Sequence, residues 1–277
     1  MVYEKIHLKA HYPFLGEDGK DPVLELYLPY NMTEMKRQDQ KRPCMLICPG
    51  GGYWMVSQRE CEPIALHLLP EGYNVFVLTY SVKPHRFPTQ LREVAAAMEL
   101  IHTNADAWNC DKDRIAIMGF SAGGHLAAHY SNAYDIPEVR QVFPQSKPVQ
   151  ASVLCYPVIN AWPGDCHKGS FQNLTGEVYP LTEEVMAKLS CDRLVTEHTP
   201  PAFLWHTFTD QTVPVNNSLL YAQAMARNGV PCSLHIYPAG AHGLATVDGQ
   251  TNGELAPVTR MAADWLPQMK RWLAHTL

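Results

Sequence analysis

Residues 114–132 constrain the fold more than any other stretch. Arg114-Ile115-Ala116-Ile117-Met118 is an apolar run of the kind found in a strand buried on both faces. It passes without a linker into Gly119-Phe120-Ser121-Ala122-Gly123-Gly124, and a small-residue helical segment, 122–132, follows at once. A strand that turns into a helix so abruptly needs room, and the glycines two residues before and two after Ser121 leave space for the turn. The pattern predicts a parallel sheet covered by helices.

The rest of the chain agrees. Segments 2–9 and 23–28 alternate apolar and polar residues and read as an antiparallel pair at one sheet edge. Segment 31–42 is polar and reads as a surface loop. Runs 44–48, 74–80, 149–156, 202–207 and 233–237 read as further strands. Helices are expected over 60–69, 89–104, 216–228 and 261–273. Residues 157–201 are rich in Pro, Gly and aromatics and show one good helix, 182–189. They read as a small cap-like insertion after the sixth strand, within a single domain spanning 1–277.

Composition excludes more than it assigns. A formal net charge of −5 and the lack of a Lys/Arg stripe argue against nucleic acid and anionic membranes as partners. No apolar run approaches a membrane span, and no signal peptide is visible, so a cytoplasmic protein is expected. The eight cysteines are scattered without a CxxC pair, consistent with reduced thiols. A homo-oligomer is left open.

The chemistry lies in three places. Gly119-Phe120-Ser121-Ala122-Gly123 fits G-x-S-x-G between a strand and a helix, the setting in which a serine becomes an exposed nucleophile. Pro49-Gly50-Gly51-Gly52-Tyr53 follows an earlier strand. Glycines let a backbone approach a ligand, and a tetrahedral oxyanion needs preset N–H donors. The expected donors are the N–H groups of Gly51, Gly52 and Ala122. Pro49 stands where related HGGG loops carry a His, so the rigidity of this loop must come from elsewhere. A serine also needs a base held by a carboxylate. His242, in the loop after the last strand, and Asp210, in the loop after the preceding one, satisfy the order Ser, Asp, His. His206 lies inside a strand and reads as a packed residue.

Other constellations point elsewhere more weakly. His125 and His129 share a helix face, as metal ligands can, but neither a third ligand nor a hydrolytic Glu accompanies them; no metal and no cofactor are expected. Tyr53, Trp54 and Trp162 are candidates for the substrate pocket, and Phe171 and Tyr179 are bulky enough to help close it.

Taken in order, Pro49 to Tyr53, residues 80–88, Gly119 to His125, Asp210 with Val213-Pro214, and Gly240-Ala241-His242-Gly243 resemble the α/β-hydrolase esterases. The likeness is greatest to small microbial carboxylesterases and acetyl-xylan-esterase-like proteins, and it spans roughly residues 40–250. It implies an α/β-hydrolase fold and cofactor-free hydrolysis of small-molecule esters with short acyl groups, acetyl above all, including those on sugars. Two other readings are a peptidase resembling prolyl oligopeptidases and a noncatalytic binding protein on the same fold. The chain lacks the large extra domain usual in the former, and an intact Ser121, Asp210 and His242 speak against the latter.

Overall fold

The computed structural model describes residues 1–15 and 21–277. Among these residues eight strands form one sheet: β1 (Val2–His7), β2 (Val23–Leu28), β3 (Arg42–Cys48), β4 (Asn74–Thr79), β5 (Cys110–Phe120), β6 (Ala151–Cys155), β7 (Ala202–Thr207) and β8 (Cys232–Tyr237). Their spatial order is β1-β2-β4-β3-β5-β6-β7-β8. β1–β2 and β2–β4 pair antiparallel, and every later pairing is parallel.

The helices are α1 (Leu8–His11), α2 (Glu62–Leu68), α3 (Thr89–Thr103), α4 (Ala122–Ala133), α5 (Pro137–Arg140), α6 (Lys168–Thr175), α7 (Glu183–Leu189), α8 (Asn216–Arg227), α9 (Pro257–Arg260) and α10 (Trp265–Thr276). None is long and apolar enough to cross a membrane.

The pleat divides the side chains of the central strands between two cores. Met45, Ile47, Val75, Val77, Met118, Val153 and Trp205 pack with residues of α2 and α10. Leu46, Phe76, Leu78, Ile115, Ile117, Leu154 and Leu204 pack with α3, α4, α8 and residues of the 157–201 segment. A parallel sheet covered on both faces places its loops at the carboxyl ends of the strands, where sites of such folds form.

Local differences from the sequence reading have simple causes. The first strand stops at His7, and Leu8 turns inward to begin the one-turn α1, where it is fully buried. The segment expected as a helix over 60–69 is split. A 3₁₀ turn, Gln58–Glu60, precedes α2, because Pro63 suits only the first turn of a helix and Glu60 is drawn inward. β5 starts at Cys110, four residues early, and its pairing with β3 shifts register between Cys110 and Ile115. The 157–201 segment holds two helices where one was expected. α6 buries only Ser170, Phe171 and Leu174, too few apolar positions to announce a helix from the sequence.

Candidate active site

Ser121 sits between β5 and α4 with φ 54° and ψ −119°. That backbone is strained for a residue with a Cβ. It is held by hydrogen bonds from Ser121 N–H to Cys155 O (3.0 Å), and to Ser121 O from His125 N–H (3.1 Å) and Val158 N–H (3.0 Å). Flanking glycines supply clearance. A Cβ on Gly119 would lie 2.1 Å from Gly123 O, and one on Gly123 would lie 2.1 Å from Cys48 O.

The three residues expected from chain order meet. Ser121 Oγ donates to His242 Nε2 at 2.7 Å, and His242 Nδ1 donates to Asp210 Oδ2 at 2.6 Å. An ionised carboxylate only accepts, which fixes the proton on Nδ1 and leaves Nε2 free to accept from the serine. The other carboxylate oxygen, Asp210 Oδ1, accepts from the N–H groups of Thr212 (2.9 Å) and Val213 (3.0 Å). Burial works against ionisation of Asp210, but hydrogen bonds from His206 and His242, the His242 charge and Val213 N–H outweigh it. The carboxyl is held well below its usual range. His206 is buried behind it, with Nδ1 2.8 Å from Ser218 Oγ and Nε2 donating to Val213 O at 2.9 Å.

Gly51 and Gly52 line the same cavity as Ser121 and His242. Their φ values, +127° and +63°, lie in the region that favours glycine. Among the described residues neither N–H donates a hydrogen bond. Ala122 opens α4, where backbone N–H groups lack helical acceptors.

The loop takes its rigidity from side chains to which the sequence reading assigned no such role. Tyr80 Oη donates to Pro49 O (2.6 Å), Gly50 N–H donates to Glu60 Oε2 (2.7 Å), and Asn173 Nδ2 donates to Gly52 O (2.9 Å). Tyr53 Oη donates to His125 Nδ1 (2.8 Å), and His125 Nε2 donates to Leu189 O (2.8 Å). Burial pushes the His125 pKa down to about 4, against a smaller opposing effect of Leu189 O. Both His125 nitrogens are thus engaged, and no group of three metal-ligating side chains occurs among the described residues.

The cavity above Ser121 has a volume of about 360 Å³ and is also lined by Trp54, Met55, Ser57, Arg59, Glu60, His167, Thr212 and Gly243. Trp54 lies there, as the sequence suggested, and is 64% exposed. Tyr53 and Trp162 do not line it. The positive φ of Tyr53 (55°) turns its ring down into the core. Trp162 is held under the guanidinium of Arg193, 4.1 Å from its ring centre. Phe171 is fully buried against His125, and Tyr179 donates to Ala161 O (3.2 Å), so neither closes the cavity. A larger recess of about 710 Å³, around Tyr30, Met32 and Met35, is lined by no serine, cysteine or histidine.

Comparison with known proteins places this geometry in context. Endo-1,4-beta-xylanase B of Butyrivibrio fibrisolvens is 35% identical over 86% of this chain, which covers 39% of that protein. Acetylxylan esterase of Xylanibacter ruminicola is 34% identical over 83% of the chain, which covers 45% of it. The chain therefore spans less than half the length of these two relatives. Among solved structures, an acetyl ester-xyloside bifunctional hydrolase from Caldicellulosiruptor lactoaceticus superposes with a TM-score of 0.84 at 33% identity, covering 98% of this chain and 96% of that one. A carboxylesterase from Lactobacillus plantarum gives a TM-score of 0.80 at 30% identity, with 99% and 98% covered. The family described as BD-FAE matches residues 24–225. The chain belongs to the BD-FAE family and has the α/β-hydrolase fold, with an eight-stranded, mostly parallel sheet flanked by helices.

Proposed function

We propose that this chain is a serine carboxylic ester hydrolase that removes acetyl and other short acyl groups, including those on sugar hydroxyls. The observation that carries the reading is the continuous hydrogen-bonded chain Ser121–His242–Asp210 beside the unused N–H groups of Gly51 and Gly52. His242 takes the Ser121 proton as Oγ attacks the ester carbonyl. Asp210 holds the imidazole and balances its charge once protonated. The oxyanion is met by Gly51, Gly52 and Ala122 N–H, the alcohol leaves with the proton from His242, and water releases the acyl group by the same route.

The cavity supports the substrate class. Its volume of about 360 Å³ accommodates a small acyl group together with part of the alcohol. Trp54, exposed at the cavity with Lys83 Nζ over its ring at 5.3 Å from the centre, supplies an aromatic surface on which a sugar can stack. The likeness to the acetylxylan esterase of Xylanibacter ruminicola and to the acetyl ester-xyloside bifunctional hydrolase of Caldicellulosiruptor lactoaceticus agrees with this direction.

The test is kcat/KM across p-nitrophenyl acetate, butyrate, octanoate and palmitate, with acetylated xylo-oligosaccharides alongside. Activity is greatest on acetate and falls sharply by octanoate; a maximum at octanoate or longer overturns the short-acyl reading. Ser121→Ala abolishes fluorophosphonate labelling and lowers kcat by at least about 10⁴-fold. Near-wild-type turnover by that variant removes the mechanism.

A further inference from the structure

Four non-glycine residues around the site hold left-handed backbone: Tyr53 (φ 55°), Ser121 (54°), Tyr156 (38°) and Ala245 (49°). Such backbone is strained in a residue with a Cβ and persists only where the surroundings over-determine it. They lie in four separate loops: Tyr53 directly after Gly52, Ser121 at the nucleophile turn, Tyr156 at the end of β6, and Ala245 three residues past His242.

One buried carboxyl ties these loops together. Glu60 is 3% exposed, and its hydrogen bonds come from a backbone amide and a phenol. Gly50 N–H donates to Oε2 at 2.7 Å, and Tyr156 Oη donates to Oε1 at 2.8 Å. The same phenol oxygen accepts Ala245 N–H at 3.0 Å, and the Tyr156 ring stands edge-on to His242 with centres 5.1 Å apart. Gly50 is itself wedged against the nucleophile turn. A Cβ there would fall 2.7 Å from Phe120 O, 2.8 Å from Glu60 Oε2 and 3.0 Å from Ser121 Cβ. Gly50 N–H is thus engaged by Glu60, whereas Gly51 and Gly52 N–H have no partner among the described residues.

We infer that Glu60, acting through Gly50 N–H and Tyr156, is the positioning residue that sets the glycine loop and the histidine loop in register with Ser121. The inference rests on the Ser121 mechanism proposed above. Burial raises the Glu60 pKa, opposed by the hydrogen bonds from Tyr156 and Gly50 and by the charge of His242. The fold thus accepts a buried carboxyl that packing alone does not require.

Glu60→Gln tests this, because glutamine keeps the shape but has one acceptor oxygen and cannot serve both Gly50 N–H and Tyr156 O–H. A misplaced oxyanion donor acts on the transition state, so kcat falls about 10- to 100-fold while KM stays within about twofold. Affinity for phenylboronic acid, which forms a tetrahedral adduct on the serine, falls by the same factor as kcat/KM. A purely structural role lowers the melting temperature without that matched loss. Tyr156→Phe leaves the Glu60–Gly50 bond in place and costs less, and adding it to Glu60→Gln costs less than the product of the two separate losses. Should Glu60→Gln fail to fold, Tyr156→Phe alone decides: a several-fold loss in kcat with unchanged KM supports the role, and wild-type kcat overturns it. The inference is also overturned if Glu60→Gln folds and keeps kcat and boronate affinity within twofold of wild type while Ser121→Ala is inactive. An active Ser121→Ala would instead remove the reading on which it rests.

Discussion

The turn that carries Ser121 and the segment 157–201 beside it reach the same cavity by different means. The turn is fixed by exclusion: Gly119, Gly123 and the carbonyl of Cys48 lie so close that no added atom fits. The 157–201 segment is fixed by individual contacts. Asn173 on α6 donates to Gly52 O, the carbonyl of Leu189 at the end of α7 accepts from His125, and Phe171 packs edge-on against His125 at 5.2 Å. Steric exclusion leaves a strong local mark in a sequence. Single hydrogen bonds across long separations leave none.

The contrast can be broken most severely at the turn. Gly123→Ala places a Cβ 2.1 Å from Cys48 O and 2.3 Å from Pro49 O, where only backbone could yield. The expected cost is about 3 kcal/mol or more of stability by urea denaturation, with ester hydrolysis lost in parallel. Wild-type stability in that variant would show that the turn is less tightly packed than these distances imply.

His125 joins the two regions, and its titration reports on the joint. Burial lowers its pKa from the ordinary 6.5 to about 4, so folding favours the neutral ring. Its contribution is therefore complete above about pH 6.5 and is lost as pH falls toward 4, by up to about 3 kcal/mol. Protonating Nδ1 would also remove the acceptor used by Tyr53 Oη. Unfolding free energy measured between pH 7.5 and 4.5 should fall more steeply for wild type than for His125→Asn. Parallel slopes would mean that the ring is not held neutral by burial.

Smaller changes sharpen the comparison from the 157–201 side. Asn173→Ala removes one hydrogen bond to the glycine loop, worth about 1 kcal/mol, and should lower kcat/KM by roughly fivefold with the fold intact. An unchanged kcat/KM would make that bond dispensable to the loop. Smallest of all is Gly169→Ala in α6, where a Cβ would meet only His167 Cε1 at 3.6 Å, an ordinary contact. Alanine favours the helix, so stability should rise by up to about 1 kcal/mol. A loss would reveal crowding that the turn has and this helix is not expected to have.

The strand, Gly-x-Ser-x-Gly and helix sequence around Ser121 defined the parallel sheet with helices on both faces, because apolar periodicity and glycine clearance are local properties of the chain. The placement of His242 and Asp210 after the last two strands followed from the same logic, since loops at the carboxyl ends of parallel strands converge. The direction of neighbouring side chains in an irregular loop did not follow. Tyr53 and Trp54 are adjacent, yet a left-handed φ of 55° buries one and leaves the other 64% exposed. Nothing local marks Glu60, which reads as a helix-start carboxylate until Gly50 and Tyr156, 10 and 96 residues away, are brought to its two oxygens. What the sequence determined by itself was the sheet, its glycine-flanked serine and the order of the groups that can meet there. Which side chains lock the glycine loop, and which line the cavity, was decided only by the tertiary structure, because those choices depend on contacts between segments that no local pattern relates.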